Sequence, residues 1–417
     1  MSERIEHKHR NRIKVLFFYP NEFFGPEMTV FTNIIRHLDR SRFTPYMVVN
    51  RDAEGALALT EEDGVLIKRL KLGRSLTGAG RLAGLRSWVH LPMSMAALVR
   101  FARKERIHVV QCVAGARAGT LAYMLARLSG AKLLFHYHNL PKRYAGLRNY
   151  FKQMVGQHAD HSAAVSNFIA ERVLSTGVAN RVDTVWNSVD LDRFNPQVDG
   201  SALRREYGIA PDAPLVLQLA RLIYWKRQED LIRGFAIARR HVPELRCLIV
   251  GWEDPRYSGP YPSYRAELED ICRQEGLGDS LIIADARPEA PQLIAAADMV
   301  VMPSEEDPCP LVVLEAMAVG RPVIGTASGG ISEQVVDGVT GFLVPTRSPQ
   351  AIADKIVLLA TNPELRTRMG VAARRRAEQY FHSKRLGEEF GQVYEHMVAE
   401  RGRKQAVPPL QPRSERL

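Results

Sequence analysis

Residues 299–320 read MVVMPSEEDPCPLVVLEAMAVG, and this stretch decides the fold. Met299–Val301 and Met302, closed by Pro303, predict a short buried strand, and an acidic loop with Glu305, Glu306 and Asp307 follows it. Beyond Pro310, the residues Val312, Val313, Leu314, Ala316, Met317 and Ala318 predict a helix that is apolar nearly all round. Such a helix must be buried, and Pro310 suits its start. Strand, polar loop and buried helix in that order make one unit of an α/β sheet. One carboxylate, Glu315, stands inside the apolar run and needs a partner. Either an arginine answers it in a buried ion pair, or Glu315 and Asp307 face a polar ligand held at the helix start.

Outward from this stretch the same unit repeats. Before it come predicted strands at 214–220, 246–250 and 280–284, with helices from 228, up to 275 and over 291–297. After it come a strand at 322–325, a loop TASGG, and helices over 331–336, 350–361, 363–376 and about 384–400. The first half opens on IKVLFFY at 13–19, a buried strand, then the loop PNEFFGPEMT, a helix over about 30–38 and a strand at 46–49. Further strands are legible at 65–69, 107–112, 132–138, 162–166 and 183–186. This alternation predicts doubly wound parallel sheets, and 417 residues suit two such domains. The connection falls in 194–214, which is rich in Pro, Gly and Asp.

The net charge of +11 is unevenly placed. Between Gly64 and Ala159 stand seventeen Lys or Arg against one acid, Glu105. Such a run predicts an anionic partner, a membrane surface or an acidic acceptor. Nucleic acid is disfavoured, because Trp88, Phe101, Tyr123 and Phe135 sit singly inside apolar patterns and form no stacking platform. Four scattered cysteines without a CxxC argue against a disulfide framework or a zinc site. The absence of a membrane-length apolar run and of a signal-peptide core at the N-terminus points to the cytosol, with peripheral contact to the inner face of the membrane through the basic segment.

In open parallel sheets ligands bind at the carboxyl ends of the strands, which directs attention to the loops there. Arg221, Lys226 and Arg227 lie between a strand end and a helix start, where the helix dipole favours anions rather than cations. They fit that place if an anion sits there, and Arg221 with Lys226 would clamp a phosphate or diphosphate. Gly329 and Gly330 would let backbone amides approach a phosphate or simply make a turn. Gly25, before Pro26, and His138, at the end of the strand LLFHYH, occupy equivalent strand ends; His136 reads as structural. Asn187 closes the first half, and Gly251 closes the strand at 246–250. The pattern Gly78-x-Gly80-x-x-Ala83 has no strand before it and is set aside, and Asp190 and Asp192 read as turn and cap residues rather than a metal pair. No Walker A sequence is present.

With these residues in hand, the chain resembles the family 4 retaining glycosyltransferases of the GT-B fold. The resemblance runs from Ile13 to about Arg401 through ADHSAAVSNF, VWNSVDLDRFNP, LARLIYWKRQEDLIRGF, CLIVG, LIAAADMVVMPS, LEAMAVGRPVIGT and SGGISEQVVDGVTGFLVP. By its Pro-rich, basic composition 401–417 reads as a disordered tail, and the resemblance implies two facing Rossmann-like domains: 1–196 for the acceptor, joined by the C-terminal helix at about 380–400, and 197–379 for a nucleotide-sugar donor. It implies that Glu315 takes the ribose hydroxyls, that Asp307 orients the donor sugar, that Arg221 and Lys226 hold the diphosphate, and that Gly25 and His138 lie beside the donor. Cys309 and Leu311 would offer backbone N–H groups to sugar hydroxyls, since Pro308 and Pro310 have none. The resemblance implies a nucleoside diphosphate sugar as donor and a glycan or lipid-linked glycan as acceptor, with no metal or further cofactor. The sequence departs from the family pattern in three places: Asp307 where Glu is usual, Pro308-Cys309-Pro310 where glycines are usual, and Phe24-Gly25-Pro26 where a glycine pair is common. The competing readings are a nucleotide-sugar epimerase and a non-catalytic sugar-nucleotide or polyanion-binding protein.

Overall fold

A computed structural model describes residues 12–22, 25–53, 57, 59, 63–73, 89–113, 115–140, 155–254 and 258–399. Phe24, Trp88, the Gly78–Ala83 pattern, the tail 401–417 and the parts 74–88, 114 and 141–154 of the basic segment lie outside the described residues. The chain divides into two compact units, Met1–Asn187 with Ser383–Arg416, and Ser188–His382.

The first unit is built on a sheet of β1 (Ile13–Tyr19), β2 (Phe43–Asn50), β3 (Leu66–Leu70), β4 (Val109–Val113), β5 (Lys132–Tyr137), β6 (His161–Ala164) and β7 (Asp183–Thr184). Their order is β3-β2-β1-β4-β5-β6-β7, with every neighbouring pair parallel. Helices α1 (Pro26–His37), α2 (Leu91–Glu105), α3 (Ala116–Ser129) and α4 (Asn167–Ser175) connect them. Burial on both faces is why β1 and β4 are apolar throughout except for Lys14 and Gln111. Helix α1 starts at Pro26 rather than near Val30, because proline at the first helical position gives up no hydrogen bond and Glu27 suits the first turn.

The C-terminal helix (Ser383–Ala399) belongs to this first unit, against α1, β1 and β4. Its Tyr394 ring lies 6.5 Å from Phe17 and 6.0 Å from Phe43. Gly387 allows the approach, since a Cβ there would stand 2.4 Å from the carbonyl oxygen of His37. Each such large buried side chain contributes about 1.5–3 kcal/mol by leaving water.

The second unit holds α5 (Ser201–Glu206), β8 (Leu215–Leu219), α6 (Gln228–Arg239), β9 (Arg246–Val250), α7 (Tyr264–Gln274), β10 (Leu281–Ala284) and α8 (Ala290–Ala296). It continues with β11 (Met299–Met302), α9 (Leu311–Val319), β12 (Val323–Thr326), α10 (Ile331–Gln334), β13 (Gly341–Val344), α11 (Pro349–Ala360) and α12 (Pro363–Tyr380). The sheet order is β10-β9-β8-β11-β12-β13, again all parallel. Strand β13 is absent from the sequence reading. Its four residues follow a turn too closely to show a period, and their parallel pairing with β12, from Val323 with Gly341 to Thr326 with Val344, defines them. The division between the units falls after Asn187 rather than after 196. Val189 donates its amide to Phe381 O at 2.8 Å, and Arg374 Nη1 donates to Phe194 O at 3.0 Å, which ties 188–196 to the end of α12.

In both sheets the strand order reverses once, between β1 and β4 and between β8 and β11. Such a reversal opens a crevice at the carboxyl ends of the two strands, because the flanking loops leave in opposite directions. Residues 220–227 follow β8, and residues 303–310 follow β11.

Candidate active site

The loop after β8 is shaped by its neighbour. Gly251 ends β9, and a Cβ there would lie 1.8 Å from the carbonyl oxygen of Ala220. The glycine thus serves close backbone approach. The loop then passes Arg221, a single 3-10 turn at Tyr224–Lys226, and Arg227 in the left-handed region at φ 55°. Its three cations have different surroundings. Arg227 is answered by Glu229 at 2.7 Å, Asp230 at 2.9 Å and Glu305 at 3.8 Å, so its charge is absorbed inside the fold. Arg221 Nη1 lies 3.4 Å from the buried Asp254, yet its side chain keeps 36% of its exposure. Lys226 Nζ pairs with Asp307 Oδ2, both side chains largely buried. The loop's own carbonyls are held too: Gln228 Nε2 donates to Arg221 O at 2.9 Å, Gln218 Nε2 to Lys226 O at 3.1 Å, and the Glu305 amide to Trp225 O at 2.8 Å.

The loop after β11 carries the acids. Glu305 is tied to Arg347, and Asp307 is buried. The loop after β12 presses against it: a Cβ on Gly329 would stand 2.4 Å from Asp307 O, and one on Gly330 would stand 1.9 Å from Pro308 O. Both glycines thus serve close backbone approach. The Gly330 amide, one of the two expected to approach a phosphate, donates to Asp307 O at 2.7 Å instead. Cys309 is buried, with its Sγ accepting from Gln334 Nε2 at 3.3 Å, and that amide also reaches Pro310 O at 3.1 Å. Leu311 opens α9, where a helix leaves its first N–H groups without intrahelical acceptors.

Glu315 sits on the second turn of α9, half-buried among apolar neighbours. Burial pushes its carboxyl up to about 7, opposed by the charge of Arg193. It forms no hydrogen bond and no ion pair with any described residue, so the arginine ion pair open to the sequence reading is not made among them. Arg193 belongs to the turn in which Asp190 Oδ1 accepts the amides of Asp192 at 3.0 Å and Arg193 at 3.1 Å, the cap geometry expected of that pair. Around the β8–β11 reversal the second unit thus gathers a partly exposed cation, Arg221, a largely buried one, Lys226, a buried aspartate and a desolvated carboxyl with unused acceptor capacity. That set can receive an anion and a pair of hydroxyl donors.

The remaining candidates lie in the first unit. Gly25 caps α1, and its amide donates to the Tyr19 hydroxyl at 3.2 Å. His138 follows β5, its ring centroid 4.0 Å from that of His136 and edge-on to Phe31. Burial pushes the His138 imidazole down to about 4, with Glu27 partly offsetting it, and lowers His136 well below the usual range. Both are neutral at physiological pH. Gln111 Nε2 lies 3.4 Å from His136 Nδ1, and the Tyr394 hydroxyl of the C-terminal helix donates to Gln111 Oε1. Asn187 is buried at the end of the unit, its carbonyl accepting from Arg385 at 3.3 Å. Sequence reasoning missed Asp254, the partner of Arg221, and the two glutamines. A polar residue in the middle of the apolar strand LVLQL was the available signal for Gln218.

Residues 199–376 match the family model described as glycosyl transferases group 1, and residues 29–193 match that described as glycosyltransferase family 4. The chain is 32% identical over 283 residues to the GDP-mannose-dependent alpha-(1-6)-phosphatidylinositol monomannoside mannosyltransferase of Mycolicibacterium smegmatis, covering 64% of this chain and 72% of that protein. It is 35% identical over 208 residues to the D-inositol 3-phosphate glycosyltransferase of Streptomyces scabiei, covering 48% of this chain and 46% of that protein, so it spans about half the length of this relative. The crystal structure of Anabaena HepE in complex with UDP and glucose superposes with a TM-score of 0.76 at 22% identity, over 92% of this chain and 100% of that one. At this identity the likeness establishes the fold.

Proposed function

The chain belongs to the family 4 glycosyltransferases, and from that premise we propose that it moves a hexose from a nucleoside diphosphate sugar to a hydroxyl acceptor with retention of anomeric configuration. The observation that carries the reading is Glu315: a desolvated carboxyl with no protein partner among the described residues, on the helix that follows the loop of Asp307. Its two oxygens match the two hydroxyls of a ribose. Arg221 and Lys226 hold the diphosphate. An ammonium has three N–H donors, so Lys226 can keep Asp307 on one and a phosphate oxygen on another. In the reaction the bond from the anomeric carbon to the phosphate oxygen breaks and the bond to the acceptor oxygen forms on the same face. The acceptor's proton goes to the departing phosphate. Cations fixed where negative charge grows lower that barrier, each by about 2.7–4 kcal/mol. No metal takes part in this scheme.

The acceptor in this reading is a glycan or lipid-linked glycan at an anionic membrane surface on the cytosolic side. Helix α2 supports it: its exposed residues run from Pro92, Met93, Ala96 and Ala97 to Arg100, Arg103 and Lys104, an apolar end followed by a basic one. Lys68 and Arg127 cover the rings of Phe101 and Tyr123, so these aromatics are engaged within the unit. Among the described residues no helix is long and apolar enough to cross a membrane.

The test is a thermal-shift screen against UDP-, GDP- and ADP-hexoses, followed by diphosphate release from whichever stabilises the protein. Stabilisation by one donor class with release of its diphosphate is expected. Binding without any release supports the non-catalytic alternative, and absence of stabilisation by all three overturns the reading.

A further inference from the structure

Gln218 and Gln228 are both wholly buried. An amide in an apolar interior is costly unless its polar atoms are used, and an aliphatic side chain of the same length would be buried more favourably. Here each amide makes one hydrogen bond to a main-chain carbonyl, and each leaves its Oε1 without a partner among the described residues. The carbonyls they hold are those of Lys226 and Arg221, two of the three cations in the loop after β8. Gln218 reaches Lys226 from strand β8, and Gln228 reaches Arg221 from the first residue of α6. One amide comes from each element that the loop joins.

We propose that Gln218 and Gln228 are positioning residues that fix the roots of the Arg221 and Lys226 side chains, so that the diphosphate clamp is formed before the donor arrives. The proposal rests on the clamp reading above. It adds a division of labour: Asp254 and Asp307 direct the charged ends, and the two glutamines fix the main chain from which those ends project. Without the amides, these two loop carbonyls would seek other donors and carry Arg221 and Lys226 with them. Displacement of a positioned group by about 1 Å costs on the order of a hundredfold in rate.

The test uses the full chain and the variants Gln218→Met and Gln228→Met, which keep length and volume and remove the donor. Calorimetry compares UDP with UMP and GDP with GMP, which isolates the terminal phosphate. In each variant the preference for the diphosphate should fall by about tenfold or more, with monophosphate affinity little changed and kcat for the donor reduced more than KM. A merely structural role would lower both affinities together, and that result overturns the proposal. Arg221→Ala and Lys226→Ala run alongside. If they lose the diphosphate preference while the glutamine variants keep it, the positioning role is overturned and the clamp stands. If they keep it as well, the clamp reading itself fails. Should the methionine variants not fold, hydrogen exchange on the unaltered protein decides: amides of 221–228 protected without nucleotide support the proposal, and protection that appears only with UDP or GDP overturns it.

Discussion

The loop after β8 and the segment from β11 into α9 flank one reversal of strand order, yet they treat charge in opposite ways. After β8 every cation has a carboxylate: Arg221 has Asp254, Lys226 has Asp307, and Arg227 has three acids around it. Beyond β11, Glu305 and Asp307 are paired, but Glu315 on α9 has only the charge of Arg193 acting on it. The cationic side is thus held in place at rest, and the carboxyl that remains unanswered bears the cost of desolvation. The difference separates residues that build the loop, Arg227 above all, from residues whose bonding is incomplete within the protein.

Removing Lys226 breaks the comparison most severely. Lys226→Ala should lower donor turnover by about a hundredfold or more, and it strands Asp307, at a cost of about 3 kcal/mol in stability. Thermal melts with steady-state assays separate the two effects. Lys226→Ala combined with Asp307→Asn should recover melting temperature without recovering turnover, and near-normal turnover in either variant removes Lys226 from the clamp.

Glu315→Gln comes next. The carboxyl's pKa in the folded protein, about 7, is raised above the ordinary 4.5, so the folded state keeps its proton longer than the unfolded chain. Its contribution to stability therefore declines as pH rises from 4.5 through about 7, while its capacity to accept two hydroxyl donors grows. Nucleoside diphosphate affinity measured by calorimetry should strengthen more steeply as pH passes through about 7 in the wild type than in Glu315→Gln, where only the ligand's own terminal phosphate titrates. Parallel pH profiles for both would take Glu315 out of the site.

Arg227→Ala should act mainly on stability. It leaves Glu229 and Asp230, both buried, without their cation, so its melting temperature should fall while turnover drops far less than in Lys226→Ala. A turnover loss matching that of Lys226→Ala would erase the distinction between loop-building and clamping cations. The smallest effect lies in the first unit: replacing Arg100, Arg103 and Lys104 by Gln should weaken sedimentation with anionic vesicles, most visibly at low salt. Equal binding to neutral vesicles at every salt concentration would remove the membrane surface as a partner.

Much of this was legible in the sequence because short apolar strands and buried helices carry strong periodic or compositional signals. β1, β9 and the start of α6 fall at the expected residues. Strand β13 did not show, since four residues hold no period and depend on β12 for pairing. The start of α1 was displaced because Pro26 looked like a turn residue and is a helix opener. In the site, residue types were readable but pairings were not. The chain contains Arg221, Lys226, Arg227, Asp254 and Asp307 in plain view, and which cation meets which acid is fixed only by sheet order across dozens of residues. Gly329 and Gly330 illustrate the same limit. Their spacing suits an anion cradle, and the fold shows a use the sequence does not: close approach to the backbone at Asp307 and Pro308.

The central claim, that the β8–β11 reversal binds a nucleoside diphosphate through Glu315 and the two cations, is tested most directly by one calorimetric series. UDP, GDP and ADP are titrated into the wild type, Glu315→Gln, and the Lys226→Ala, Asp307→Asn double variant. The account predicts that at least one nucleotide binds the wild type and that both variants weaken it by about tenfold or more. Binding of equal strength in all three proteins would contradict it.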